Sequence, residues 1–487
     1  MQFERNRRIF FLPSHILMIL FLIVFLLAGQ GQGRTVLAAS EMADSSSPET
    51  SAADAEENSE ENVFDDENVF DAEDEEISVS GNDSNAIVFN GFLETERGAR
   101  VGESENHKET WLLANQRVRL KTSGNTEKGG FDLKLDFVKD DITRQMEVDI
   151  REARLRYSPA DWMDLSIGRQ VSTWGVGDLI FINDLFPKNW INLLTGRDIE
   201  SLKDASDVLR MTSYFGSWSW DLVWTPEFDP DTTPTGCRFS VFDPNLGRTR
   251  SNSDSCGKNS PAEEQNNKDE NGEIAMRLKT RWGSQELAIY GYNGFWKNPK
   301  GLRFLPEQGL FKPFYPRLGV YGFSSEGQLG DGIVFFETGL YRSFEDEDGK
   351  DPLIENSSLR MMFGYRYMLN ANLTLSGQGM SEKMMNYTNY KDNLHPDQSA
   401  KDEVRNTVTL RLVKTAQQDT LRISFFVYHR PQHRDDYLRY WVNKRLDDHF
   451  DITAGGNLFS GHSDYADSEF GMLREDDNVF IRMKYIF

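Results

Sequence analysis

The chain has 487 residues, with 54 Lys and Arg against 78 Asp and Glu, a formal net charge of -24 and a mean hydropathy of -0.58. That balance excludes a nucleic-acid-binding surface, which rests on basic side chains. The low hydropathy excludes a helical membrane protein but not a strand-built one, because a transmembrane barrel alternates apolar and polar residues and averages to a hydrophilic value.

The charge is unevenly spread. Residues 1–40 carry Arg5, Arg7, Arg8 and Arg34 against Glu4, a balance of +3, and residues 41–80 carry sixteen acidic residues and no Lys or Arg, which leaves -11 for the rest. The N-terminus reads basic to Arg8, apolar from Ile16 to Leu27 and small through Val36-Leu37-Ala38. This order is that of a secretory signal peptide over residues 1–38, cleaved after Ala38 or Ala39. The alternative, a retained anchor, is disfavoured because the run is short for a span of about 20 residues.

Residues 39–85 form an acidic segment of Ser, Ala, Asp and Glu that cannot bury enough apolar surface to offset its ordering entropy, so disorder is expected. Within it, Glu61-Asn62-Val63-Phe64-Asp65 recurs as Glu67-Asn68-Val69-Phe70-Asp71. The repeat is either a short docking motif for a periplasmic partner or part of a solubilising tether, the latter being favoured by composition.

From residue 86 onward the pattern has period two, the mark of strands with one apolar face. Strands are predicted at 86–97, 109–122, 129–140, 144–157, 161–170, 205–216 and 217–226. They continue at 272–282, 284–295, 315–326, 329–345, 353–368, 370–382, 401–415, 417–430, 434–446, 448–460 and 476–487. The count is eighteen, with sixteen as the alternative, and an even number returns both ends of a closed barrel to one side. The expected fold is therefore all-β, a single antiparallel transmembrane barrel over residues 86–487.

Connection lengths sort by parity. Even-numbered strands lead into tight turns such as Ser158-Pro159-Ala160-Asp161, Trp282-Gly283-Ser284 and Leu369-Asn370-Ala371-Asn372. Odd-numbered strands lead into most of the long segments, notably 171–204, 227–271, 296–314, 383–400 and 461–475. Short periplasmic turns opposite long external loops are the habit of outer-membrane barrels. Aromatic residues make up 12% of the chain, and Trp111, Tyr157, Trp218, Trp220, Trp282 and Tyr485 lie near predicted strand ends, where interfacial girdles would use them.

If the apolar parity faces lipid, the opposite parity faces the interior. The second strand then puts Leu112, Ala114, Val118 and Leu120 outward and Arg117, Arg119 and Lys121 inward. The eighth puts Ile274, Met276 and Leu278 outward and Arg277, Lys279 and Arg281 inward. The same rule sends Arg210, Arg360, Arg366, Arg411, Arg422, Arg482 and Lys484 inside, with Asp132 and Asp136 the chief inward acids. A basic lumen would concentrate anions and disfavour cations. The competing expectation is that these cations pair with wall carboxylates and infolded acidic loops and merely fill the interior.

The chain ends Val479-Phe480-Ile481-Arg482-Met483-Lys484-Tyr485-Ile486-Phe487, a strand closing on Phe with Tyr two residues before it. This resembles the C-terminal signature of bacterial outer-membrane barrels, and it implies that Tyr485 and Phe487 serve as the signal read by the barrel-assembly machinery. The run Gly168-Arg169-Gln170-Val171-Ser172-Thr173-Trp174-Gly175-Val176-Gly177-Asp178 resembles a motif of porin-like and alginate-export-like outer-membrane barrels, with the likeness strongest over 86–226 and again at the C-terminus. The resemblance implies that this third external loop folds into the channel. Arg169, Trp174, Asp178, Asp184, Lys188 and Arg197 are then its candidate constriction residues. The alternative is that Arg169 and Asp178 tie the loop to the wall.

Cys237 and Cys256 share the fourth external loop, and in an oxidising compartment such a pair is expected to form a disulfide that constrains the loop by roughly 3 kcal/mol. No His in that loop could activate a thiol. Elsewhere His429, His433 and His462 form no convergent triad, and no nucleotide, zinc or other metal or cofactor motif is present, so no enzyme and no cofactor are expected. The expected function is passive diffusion of hydrophilic, anionic solutes across the lipid of a Gram-negative outer membrane. The alternative is a plugged structural or secretion barrel, for example for anionic polysaccharide export, that recruits a periplasmic partner through residues 40–80.

Overall fold

The structure is a computed structural model. It describes residues 87–102, 110–234, 238–239, 241–243, 248–250, 272–307, 309–396, 398–432, 434–461 and 468–487. The expected signal peptide, the acidic segment, the Cys237–Cys256 pairing, His433 and His462 lie outside these residues.

Eighteen antiparallel strands form one closed sheet. The first seven are β1 (Ile87–Arg100), β2 (Trp111–Thr126), β3 (Gly129–Asp140), β4 (Gln145–Ala160), β5 (Met163–Val171), β6 (Ala205–Phe215) and β7 (Trp218–Thr225). A small hairpin, β8 (Val241–Asp243) and β9 (Arg248–Arg250), stands in the next loop and is followed by β10 (Glu273–Trp282) and β11 (Gln285–Phe295). A second loop hairpin, β12 (Gly301–Leu305) and β13 (Leu310–Phe314), precedes β14 (Arg317–Leu329), β15 (Gly332–Ser343), β16 (Ser358–Asn370) and β17 (Leu373–Met384). The barrel continues through β18 (Val404–Ala416), β19 (Leu421–Arg430), β20 (Asp435–Arg445), β21 (Phe450–Ser460) and β22 (Asn478–Ile486). Two short helices, α1 (Trp190–Thr195) and α2 (Tyr387–Asp392), lie in loops.

Each of the eighteen predicted strands corresponds to one barrel strand, and the two hairpins and two helices are additions within loops. β22 pairs with β1 from Phe92↔Ile486 to Arg100↔Asn478, so the sheet has no free edge. Closure satisfies every ladder group, which a membrane span requires. Beyond the ladder, Gly91 and Phe487 exchange backbone hydrogen bonds of 3.0 and 2.9 Å, which seals the seam.

Alternation sets the two faces. On β22, Val479, Ile481, Met483 and Tyr485 are exposed and outward, whereas Asn478, Phe480 and Arg482 are buried and inward. Following the register around the sheet sends Arg117, Arg119, Lys121, Arg210, Arg277, Lys279, Arg281, Arg360, Arg366, Arg411, Arg422, Arg482 and Lys484 to the inner face.

Two of the register shifts, away from the turns, break the simple parity. Gly98 pairs with Leu113 and Ala99 with Trp111, so Leu112 is an extra residue in β2. Leu112 was expected on the lipid face; the bulge turns it inward, where it is fully buried beside Leu193 and Phe459. A second register shift, between Lys134 and Leu135, leaves Arg151 as an extra residue in β4 and turns it inward as well.

Candidate functional site

The segment 172–204, between β5 and β6, runs through the lumen and docks on two different arcs of the wall. Its first limb places Trp174, Ile180, Ile182 and Phe186 in an apolar cluster with Tyr290, Val320, Phe335, Tyr341 and Met362. Backbone groups that enter a protein interior need partners, and the wall supplies them. The Glu337 carboxylate accepts from the amides of Val176 (3.2 Å) and Asn183 (2.7 Å), and the Tyr341 hydroxyl donates to the Ile182 carbonyl. The Gln378 side chain accepts from the Asp178 amide and donates to the Asp178 carbonyl, both at 2.8 Å. Asn183 fits beside Gly322, where a Cβ would come within 1.7 Å of its side-chain oxygen. Only glycine admits so close an approach.

The second limb is α1 and the turn after it. Asn189 caps α1 by accepting from the Asn192 amide at 3.1 Å, and Gly196 ends it with φ 96°. That left-handed cap lies against Phe480, where a side chain would collide with the ring. Leu193, Leu194 and Leu202 pack with Leu112, Phe426, Tyr437 and Phe459. Asn457 and Asn478 both donate to the Leu194 carbonyl at 3.1 Å, and Arg439 donates to the carbonyls of Leu193 and Arg197.

Charge divides the inner wall into two parts. Along β1–β4 and β22, the loop brings acids to buried cations. Arg117 pairs with Glu94, with Asp136 at 3.3 Å and with Asp198 at 3.2 Å, while Arg119 pairs with Asp136 at 2.6 Å and Glu200 at 2.9 Å. Arg482 and Lys484 reach Asp198 at 3.1 and 3.9 Å, Arg197 reaches Glu96 at 3.0 Å, and Arg151 reaches Asp204 at 3.1 Å. Burial opposes ionisation of Asp198, but Arg117, Arg482 and Lys484 outweigh it and hold its carboxyl well below the usual range. Glu200 is lowered in the same way, burial being outweighed by Arg119 and Lys134.

Along β16–β20 the balance reverses. Arg411 meets Asp178 of the loop at 3.0 Å, and Arg366 meets Glu326 only at 3.9 Å. Arg422 lies over the Trp441 ring, 5.8 Å from its centroid, and makes no ion pair with a described residue. Arg439 is spent on carbonyls and on the Phe480 ring at 5.6 Å. Burial raises the Asp178 carboxyl above its ordinary value, and Arg411 and Arg366 offset this only in part. Farther out, Arg360 and Arg405 share Glu382 at 3.0 and 2.9 Å, and Arg430 lies 3.5 Å from both Asp435 and Glu469.

The remaining expected residues are also located. Trp174 is buried under Arg277, whose guanidinium sits 5.3 Å from its ring centroid, and Lys188 pairs with Asp184 at 3.2 Å within the loop. Arg210 and Arg277 share Asp221 at 3.0 and 2.7 Å, and Lys279 pairs with Glu286 at 3.1 Å. Arg169 does not enter the lumen. β5 runs on to Val171, so Arg169 shares the outward parity of Ile167, donates to the Ile150 carbonyl at 2.9 Å and faces Asp207 at 3.8 Å. Inward acids number more than Asp132 and Asp136. Glu94, Glu96, Asp221, Glu273, Glu337 and Glu382 also face inward and are buried, and the parity rule that located the arginines would have found them. The same rule would have found Arg439. Nothing in the sequence marks Glu337 or Gln378 as loop anchors.

Two cavities flank the loop. One of about 260 Å³ lies between β2–β4 and the second limb, bounded by Asn115, Arg117, Asp149, Arg151, Asn192 and Arg197. The other, of about 220 Å³, lies between the loop and the β14–β20 wall, bounded by Trp190, Trp296, Arg360, Arg405, Arg430 and Tyr437 among others.

An apolar outer face, a polar inner face and a long loop lying across the lumen define a transmembrane barrel of the porin type. No family model matches the chain, and no curated protein matches it. Among solved structures, OccAB3 of Acinetobacter baumannii is similar at 11% identity and TM-score 0.48, over 82% of this chain and 99% of that one. A mutant of Rh. blastica porin is similar at 9% and 0.38, over 82% and 100% of the two chains. A loop L8 deletion mutant of OmpT, an outer membrane protein of Vibrio cholerae, is similar at 12% and 0.38, over 83% and 100%.

Proposed function

We propose that this chain is an outer-membrane channel of a Gram-negative cell, through which small hydrophilic anions diffuse without any bond being made or broken. The observation that carries the reading is the asymmetry of the inner wall: near β16–β20, Arg366, Arg411 and Arg422 face the lumen with Asp178 as the loop's one carboxylate against them. Arginines in excess of carboxylates in a low-dielectric passage raise the local anion concentration and oppose cations. Asp178 meets Arg411 at 3.0 Å on this side, and Trp174, Asp184, Lys188 and Arg197 hold the loop that carries it. The buried arginines of the β1–β4 side, Arg117, Arg119 and Arg151, contribute little, since each is matched by acids. The apolar outer face suits lipid contact, and the last strand, ending at Tyr485 and Phe487, suits recognition by assembly machinery.

A second reading, a barrel plugged by its own loop, is favoured by the two apolar clusters that bind the loop to both walls. Single-channel recording of the purified chain in a planar bilayer separates the two. Discrete conductance steps with the loops intact support the channel, and a silent, correctly folded barrel supports the plug.

A further inference from the structure

The cavity of about 220 Å³ between the loop and the β14–β20 wall is lined by aromatic rings and by charges that are already paired. Arg360, Arg405 and Arg430 stand at the strand ends away from the tight turns, and Arg411 lies deeper along β18. A solute arriving from the long-loop side therefore meets this cavity before it meets Asp178. Three of the rings are only half-buried: Phe181 and Trp190 from the loop, edge to face with centroids 6.0 Å apart, and Tyr428 from the wall. Around them, Glu382 sits between Arg360 and Arg405 at 3.0 and 2.9 Å, Lys188 holds Asp184 at 3.2 Å, and Arg430 faces Glu469 at 3.5 Å. Asp231 accepts from the indole N–H of Trp190 at 2.9 Å and from the side-chain amide of Asn298 at 3.2 Å. One donor is left over. Trp296 lines the cavity at 4% exposure, and its Nε1 has no hydrogen-bond partner among the described residues. A buried N–H without an acceptor is costly and marks a place for one.

We propose that this cavity binds a pyranose saccharide. A pyranose ring has an apolar, slightly electropositive C–H face that stacks on the negative face of an aromatic ring. Its rim of hydroxyls both donates and accepts, and each ion pair on the cavity wall offers N–H donors and carboxylate lone pairs side by side. Phe181, Trp190 and Tyr428 supply the platform, and Glu382 with its two arginines, together with Asp231, supplies the rim contacts. The Trp296 N–H donates to a ring or hydroxyl oxygen. Other solutes fit worse. A small inorganic anion gains nothing from the rings and is opposed by Asp184, Asp231, Glu382 and Glu469. An aromatic carboxylate would use the rings but brings no donor to those acids, and an apolar solute would strip water from the paired ions without replacing it. The inference goes beyond the channel reading: it sets an affinity site ahead of the charged arc and does not depend on conductance.

The test is isothermal titration of the purified full chain in detergent with maltotriose, cellotriose and mannotriose, and with benzoate as an aromatic anion. At least one trisaccharide should bind saturably with a Kd of about 1 mM or tighter, and benzoate at least about tenfold more weakly. Tyr428→Ala should weaken saccharide binding at least about tenfold, whereas Tyr428→Phe, which keeps the ring, should change it by no more than about twofold. Trp296→Phe, which removes the N–H and keeps a ring, should weaken it by about threefold or more. Three results overturn the inference: no binding of any trisaccharide, preference for benzoate over all of them, or unchanged saccharide affinity in both Tyr428→Ala and Trp296→Phe. A chain that binds saccharide yet carries no current in a planar bilayer overturns the channel reading alone, and a conducting chain that binds none overturns this inference alone.

Discussion

The two sides of the inner wall use the same residue, arginine, for opposite ends. Along β1–β4 and β22 the buried guanidiniums are met by carboxylates, many of them brought by the loop, as with Arg117 between Glu94, Asp136 and Asp198. Along β16–β20 the arginines outnumber the acids, and against Arg366, Arg411 and Arg422 the loop sets one carboxylate, Asp178. Saturated pairs are costly to break and carry no net charge, so the first side is a fastening. An undersaturated arc keeps a field, so the second is where selectivity arises.

Breaking the fastening should have the largest effect. Asp198→Ala leaves Arg117, Arg482 and Lys484 buried without their shared acid, and a loss of about 3–5 kcal/mol is expected, read as a lower urea midpoint in detergent. Next is the loop's neck. Gly322→Val forces Asn183 out of its recess and should cost on the order of 1–3 kcal/mol, with a larger single-channel conductance as the limb loosens.

Asp178→Asn leaves the buried Arg411 without its counter-charge, so a loss on the order of 1–3 kcal/mol is expected, and it should increase anion preference, visible as a shifted reversal potential. Because burial raises the Asp178 carboxyl while Asp198 and Glu200 are held low, acidification protonates Asp178 before those two. The native channel should therefore gain anion preference as pH falls toward and through the ordinary carboxylate range. In Asp178→Asn that dependence should be weaker. The smallest effect belongs to Arg169→Ala. On the outer face it should change stability by about 0.5 kcal/mol or less and selectivity not at all.

The strands were legible because a two-sided wall leaves its period in every strand, and parity alone placed the lumen arginines from Arg117 to Arg482. What parity could not reach were its local breaks. The bulges at Leu112 and Arg151 each insert a residue that no composition rule announces. Arg169 lies within the predicted strand 161–170 and joined the loop candidates only through the motif resemblance, whereas the period of β5 sets it with Ile167 on the outer face. The docking of the loop was legible only through resemblance, since its anchors, Glu337, Gln378 and Gly322, are far away in sequence and ordinary in kind.

The central claim, that the β16–β20 arc sets the charge preference, is tested most directly by the reversal potential across a KCl gradient for the native chain and for the variant Arg366→Ala, Arg411→Ala and Arg422→Ala. The account predicts an anion-selective native channel and a variant that remains folded but is near non-selective. A cation-selective native channel, or an unchanged reversal potential in the variant, would contradict it.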